Sequence, residues 1–374
     1  MVEVAFGFAQ ARLSASRCGA SLRKTKLSGG SRIIGPRMAV FGAVVGLLGA
    51  LAIAGQAQTV TAYEQGRAAF DAHHYAEAVT LFAKAETEDG GRSDALLYEG
   101  KALTNLERYS EADSVLRQYL RRHADSSDAL YMLGFVLNRE DKPADSLKTY
   151  TAAARLVTPK SDDLKVVALD YVLLKDYPDA IRWMEQAVAF DPQNEEAWYG
   201  LGRCYYSQSR FPDAEKAFAR ALALNAQDVK AEENLGLAYE MDNHAQAAEA
   251  AYQKAVALAN NDAHADEWAY LDYASFLLEH NRPTDAVPLL ERAVKLAPRC
   301  ADCHGKLGRA LASSGKPEQA IVELRQAVAL APKDPKLHFD LGRAYRAAGK
   351  MEEARAELAL SAKLYGSKDS ARSQ

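Results

Sequence analysis

Bulky apolar residues recur along most of the chain at spacings of three and four, broken at intervals by short polar stretches. This is the pattern of amphipathic helices of moderate length. The recurrence is itself periodic. Small residues Ala78, Ala112, Ser146, Ala180, Ala214 and Ala248 stand 34 apart, and after one step of 38 come Ala286, Ala320 and Ala354. Twelve residues before each lies another small residue: Gly66, Gly100, Gly134, Ala168, Gly202, Gly236, Ala274, Gly308 and Gly342. Two small-residue columns twelve apart suit two antiparallel helices whose backbones approach closely. Polar or breaker turns separate them, as in Asp141-Lys142-Pro143, Asn281-Arg282-Pro283, Gly315-Lys316-Pro317 and Gly349-Lys350.

The bulky columns agree. Three residues after the first small residue stand Leu103, Leu137, Tyr171, Tyr205, Tyr239, Leu277, Leu311 and Tyr345, one helical turn on. Four after the second stand Phe82, Leu116, Tyr150, Met184, Phe218, Tyr252, Leu290, Leu324 and Leu358. Pro192, Pro298 and Pro332 fall where units end, at positions where a proline stops a helix without breaking one. A unit of this size cannot bury its own apolar face, so stability must come from stacking on neighbours.

The run Trp198-x-x-Leu201-Gly202-x-x-Tyr205 followed by Ala214, Phe218 and Ala221 resembles the tetratricopeptide repeat (TPR), and the other units match with fewer signature residues. The resemblance covers about residues 59–368. It implies an all-α fold, a right-handed superhelical solenoid of helix-turn-helix repeats. Repeats one to six fall in 59–262. Repeats seven to nine fall in 267–368, after a four-residue insertion around Asn260–Asp266, with a polar tail at 369–374. The resemblance implies a non-enzymatic binding scaffold rather than a particular ligand.

Composition narrows the function. With 48% hydrophobic and 26% charged residues the chain buries a sizeable core, which excludes wholesale disorder. The formal net charge is −4, and residues 1–57 hold seven Lys/Arg against Glu3 alone. The remainder is therefore acidic, which argues against a nucleic-acid partner. The basic leader precedes an apolar run, residues 38–54, that ends in Gly55-Gln56-Ala57. This predicts a targeting segment over 1–57, read as a signal peptide cleaved after Ala57 so that the mature chain starts at Gln58. The alternatives are an uncleaved membrane anchor through 38–54 and an organellar transit peptide. The protein is expected to be exported, periplasmic or secreted, or else membrane-anchored through that segment alone.

In this family the first helix of each repeat lines a concave groove, which is where the resemblance places a protein or peptide partner. Three residues before the first small residue this face carries Tyr63, Leu97, Tyr131, Lys165, Tyr199, Glu233, Leu271, Gly305 and Phe339. One residue after it stand Arg67, Lys101, Phe135, Leu169, Arg203, Leu237, Ser275, Arg309 and Arg343, joined by Phe70, Asn138, Tyr206 and Trp268. Aromatic rings interleaved with guanidinium groups suit an extended peptide. The Lys–Asn clamp of the chaperone-tail subfamily is missing, since Lys165 is followed by Leu169.

Cys300-Ala301-Asp302-Cys303-His304 has the C-x-x-C-H spacing of covalent c-type haem attachment. Each residue also has a plainer reading: Cys303 falls in a column held by Ala95, Ala129, Ala197, Ala231 and Ala269, and His304 aligns with His338 and Trp198. A local disulfide or thiol-redox pair is the alternative to haem c, the one cofactor the sequence suggests. No metal site is expected, and no catalytic residues: H-E-x-x-H, G-x-S-x-G and Walker-type sequences are missing. The polar end after Leu358, Leu360, Leu364 and Tyr365 supplies no capping helix, which leaves self-association through the last repeat as a further reading.

Overall fold

A computed structural model describes residues 60–89, 94–263 and 265–372. The leader and apolar run at 1–57 lie outside the described residues. The described part holds eighteen α-helices and no strand. None of these helices is long and apolar enough to cross a membrane.

The chain divides into two compact units, split between Pro159 and Lys160. The first contains α1 (Ala62–Asp71), α2 (Tyr75–Asp89), α3 (Ala95–Asn105), α4 (Tyr109–Leu120), α5 (Ser127–Arg139) and α6 (Pro143–Ala154). The second begins with α7 (Ser161–Leu173), α8 (Tyr177–Phe190), α9 (Glu195–Ser207), α10 (Phe211–Leu224), α11 (Val229–Met241) and α12 (Ala245–Asn260). It continues through α13 (Trp268–Glu279), α14 (Pro283–Leu296), α15 (Ala301–Ser313), α16 (Pro317–Leu330), α17 (Pro335–Ala347) and α18 (Met351–Arg372). Each odd-numbered helix packs on the even-numbered helix after it.

Local chemistry sets these boundaries. Thr61 opens α1 with a capping box, its hydroxyl accepting from the Glu64 amide and the Glu64 carboxylate from the Thr61 amide. Pro143, Pro283, Pro317 and Pro335 begin their helices where a missing N–H costs nothing. The turn inside each pair passes through one left-handed residue. Gly315 and Gly349 take that place in the last two pairs, whereas Asp141, Lys175, Ser209, Asn243 and Asn281 adopt it with side chains.

The small-residue columns do what their spacing implies. A Cβ added to Gly202 would stand 2.6 Å from the Phe218 ring, and one added to Gly134 would stand 2.6 Å from Tyr150. Phe218 is fully buried. In the pair α5/α6, Ser146 replaces the usual alanine and its hydroxyl donates to the Gly134 carbonyl across the contact at 2.8 Å. The insertion appears as the link between Asn260 and Trp268. A single apolar core runs across it, from Ala248, Tyr252 and Ala255 through Tyr270 and Phe276 to Leu311 and Leu341.

Candidate functional site

Within each unit the odd-numbered helices touch their odd-numbered neighbours, α1–α3–α5 in the first and α7–α9–α11–α13–α15–α17 in the second. The backbones of even-numbered helices in consecutive pairs stand farther apart. The first helices therefore gather on the inner side of each stack, and their outward stripe is the candidate binding face.

In the first unit that stripe is closed on itself by aromatic and cationic contacts. The Arg67 guanidinium lies 4.0 Å from the centre of the Tyr98 ring, with Lys101 4.9 Å from the same ring. Tyr63 and Phe70 meet Tyr98 edge-on at 6.3 and 5.8 Å. A hydrogen bond to Tyr63 and the neighbouring Tyr98 hold the Arg67 pKa above its ordinary value. Tyr131 donates its hydroxyl to the Val157 carbonyl at 2.6 Å, and Phe135 and Asn138 are half-buried. Tyr98, the hub of this cluster, stands two residues before Gly100 rather than three, outside the register that the repeat spacing turns toward a ligand.

In the second unit Lys165 is held between Glu196 at 2.5 Å and Asp162 at 3.1 Å. Burial pushes its pKa down, and the two carboxylates more than reverse that. The Tyr199 hydroxyl accepts from the Asn234 amide at 3.3 Å, its ring packs on Phe218, and Arg203 lies 5.8 Å above it. Trp268 is half-buried at the start of α13. Tyr206 does not face outward as expected: it is 6% exposed and meets Phe211 edge-on. The Phe211 ring at the start of α10 covers it on one side. Leu97, Glu233, Leu271 and Ser275 are likewise buried, and a Cβ on Gly305 would stand 2.6 Å from Leu337. Neighbouring first helices cover much of the stripe that sequence spacing turns toward a ligand.

The face opens at α15 and α17. Phe339 is 44% exposed, Arg343 is exposed 5.9 Å above it, and Arg309 is half-buried alongside. Between them lies Asp340, 9% exposed. Burial raises its pKa, and Arg309, Lys336 and Arg343 hold the rise back. Three cations thus surround one buried carboxylate beside an exposed ring. Asp340 belongs to a polar column two residues before the first small residue, with Asn234, Asp272 and Lys306, all buried. Spacing shows that column, but only the packing shows that it is buried.

The C-x-x-C-H residues are already engaged with one another and with the fold. Cys300 and Cys303 form a disulfide. His304 is 8% exposed; its Nε2 reaches the Pro298 carbonyl at 3.1 Å and its Nδ1 reaches Glu323 at 2.7 Å. His338, with no cysteine near it in sequence, repeats both contacts, to Pro332 at 3.0 Å and Glu357 at 2.6 Å. Trp198 makes the first of them, donating to the Pro192 carbonyl at 3.1 Å. The histidine is thus a recurring tie to the preceding proline carbonyl, and joined sulfurs with an occupied imidazole do not fit a haem. Separately, Glu215, Asp242 and His244 bring ligand-type atoms within 4.8 Å of one another. The His244 ring there lies 3.4 Å from Glu215 and 3.6 Å from Asp242.

Comparison with known proteins settles the family. Tetratricopeptide repeat models match residues 69–134, 171–233 and 311–366, and a second set matches 205–263 and 274–335. The chain belongs to the tetratricopeptide repeat family. Such repeats act as protein-interaction modules. A TPR protein of Parabacteroides merdae is 18% identical with a TM-score of 0.52, over 67% of this chain and 98% of that one. The C-terminal part of a TPR repeat-containing protein of Cytophaga hutchinsonii is 17% identical with a TM-score of 0.52, over 66% of this chain and 99% of that one. The APC/C hetero-tetramer Cut9–Hcn1 gives 14% identity and a TM-score of 0.53, over 76% of this TPR chain and 55% of the matched chain. This TPR chain thus spans about half the length of that last neighbour. At these identities the likeness is one of fold. Among curated proteins no relative matches.

Proposed function

We propose that this chain is an exported, non-enzymatic scaffold of nine TPR repeats that takes a protein or peptide partner on the inner face of its first helices, with α15 and α17 making the decisive contacts. The observation that carries this reading is the exposed Phe339 ring beside Arg309, Lys336 and Arg343, with Asp340 the buried carboxylate among them. An exposed ring with Arg343 above it and Arg309 close by suits a segment that brings an apolar side chain and a carboxylate together. Export is supported by the basic leader before the apolar run and by the Cys300–Cys303 disulfide, a bond that persists in oxidising compartments. Any membrane link would run through residues 38–54 alone.

Selection of peptides from a random library on the purified chain tests this. Enriched sequences should pair an acidic residue with an aromatic or aliphatic one and bind more weakly as salt rises. Enrichment of basic sequences would refute the assignment. A second reading, a second copy docked on α18, is favoured by exposed Leu360 and Tyr365. Sedimentation showing a concentration-dependent dimer that L360E abolishes would support it.

A further inference from the structure

The start of α15 departs from its counterparts. At α5, α9, α11 and α17 the residue capping the first turn offers an oxygen. Ser126 accepts from the Ala129 amide at 3.4 Å, Asn194 from Ala197 at 3.0 Å, Asp228 from Ala231 at 3.2 Å and Asp334 from Lys336 at 2.9 Å. At α15 the acceptor is the Cys300 sulfur, 3.0 Å from the Cys303 amide, and that sulfur is bonded to Cys303. The fold does not require the bond. The pairs begun by α5, α9, α11 and α17 assemble with an oxygen at the first position and, at α5, α9, α11 and α13, alanine stands at the second. A bridge across two intervening residues also closes a very short loop, where the chain-entropy benefit of a disulfide is smallest.

The two sulfurs are not equivalent. Cys303 is fully buried, whereas Cys300 is half-buried at the helix N-terminus, preceded by Arg299. Asp302 and Lys306 neutralise each other nearby at 3.1 Å. The unpaired first-turn amides favour negative charge at the cap, which is where α11 and α17 place an aspartate. Reduction would place a Cys300 thiolate in the same position. A thiolate held that way stabilises the reduced form, so the disulfide is inclined to oxidise other thiols.

We propose that Cys300–Cys303 is a redox-active disulfide that exchanges with a dithiol on another protein, Cys300 carrying the mixed disulfide. The partner's thiolate attacks the accessible Cys300 sulfur. The Cys300–Cys303 bond breaks, and Cys303 leaves with the electron pair and takes up a proton from solvent. The partner's second thiolate then attacks its own sulfur in the mixed disulfide and releases Cys300 as the thiolate at the cap. Two electrons pass to this chain, and the partner's two thiols become a disulfide. This site is independent of the Arg309–Phe339–Arg343 face.

The full chain, oxidised, is mixed with a synthetic peptide carrying two reduced cysteines, and products are followed by mass spectrometry. The wild type should form one peptide disulfide per protein, at least about tenfold faster than oxidised glutathione at equal concentration. C303A, which restores the alanine of α9 and α11, leaves Cys300 a free thiol; given the disulfide-linked dimer of a one-cysteine peptide in place of the reduced peptide, it should take up one half as a mixed disulfide at position 300 and release the other half as a thiol. C300D, which restores the cap of α11 and α17, should fold with unchanged circular dichroism and form none with the same peptide disulfide. A wild-type bond that outlasts the reduced peptide, or a mixed disulfide found at Cys303, would overturn the proposal.

Discussion

The inner faces of α9 and α17 are built in one register and end up differently. Tyr199 and Phe339 occupy the same repeat position, as do Arg203 and Arg343. On α9 the hydroxyl of Tyr199 is met by Asn234 from the next first helix, the ring rests on Phe218, and Tyr206 is buried. On α17 the equivalent ring has no hydroxyl, and among the described residues no further first helix packs against it; Phe339 keeps 44% of its surface. In a stacked repeat, then, a residue's availability depends less on its place in its own helix than on what the next pair brings against it. Gly305 makes the same point: its missing side chain is the space that Leu337 fills.

The largest expected effect would break the closed face. Tyr206→Ala removes a buried ring and should cost about 3 kcal/mol of unfolding free energy. Phe339→Ala, at the matching open face, should stay within about 0.5 kcal/mol. Denaturant melts of the two variants give the contrast directly, and equal losses would mean that the two faces are not different. Gly202→Leu comes next. It forces a side chain into the Phe218 ring and should cost up to about 3 kcal/mol, the upper range for overpacked cores. An unshifted melting curve would place the α9/α10 contact elsewhere.

The smallest effect is a pH dependence confined to the α17 end. Burial pulls the His338 pKa down, but hydrogen bonds to Glu357 and the Pro332 carbonyl outweigh it and leave the pKa above the ordinary 6.5. For a base whose folded pKa is raised, the stabilisation is complete below the unfolded value and is lost as pH rises through the folded one. Stability should therefore fall above pH 6.5 in the wild type. His338→Trp copies the proline tie that Trp198 makes on α9 without a titrating ring, and should flatten that part of the profile. Thermal melts between about pH 6 and 9 measure it; an unchanged slope in the variant would assign the dependence to other groups.

Much of this architecture can be read from the residues. The 34-residue recurrence, the glycine opposite a large ring and the proline-started helices are local rules repeated many times, and repetition overcomes the ambiguity of any single segment. The site was less legible. Counting from Gly202 turns Tyr206 outward only if each helix is viewed alone; in the stack the Phe211 ring meets it and it is buried. Asp340 stands in a column whose burial comes from adjacent helices, which no single helix pattern encodes. The equivalence of His304, His338 and Trp198 was visible in the spacing, but the proline carbonyl they share appeared only once the pairs were stacked.

The central claim is that partner recognition sits on the open face of α15 and α17 rather than on the closed face of α9. A calorimetric titration tests it most directly, using a library-selected peptide with the wild type, with Phe339→Ala/Arg343→Ala and with Tyr199→Ala/Arg203→Ala. The account predicts that the first double variant loses about thirtyfold or more in affinity, as expected for loss of an aromatic and arginine anchor, while the second stays within about twofold. Loss of binding in the Tyr199/Arg203 variant with full retention in the Phe339/Arg343 variant would contradict it.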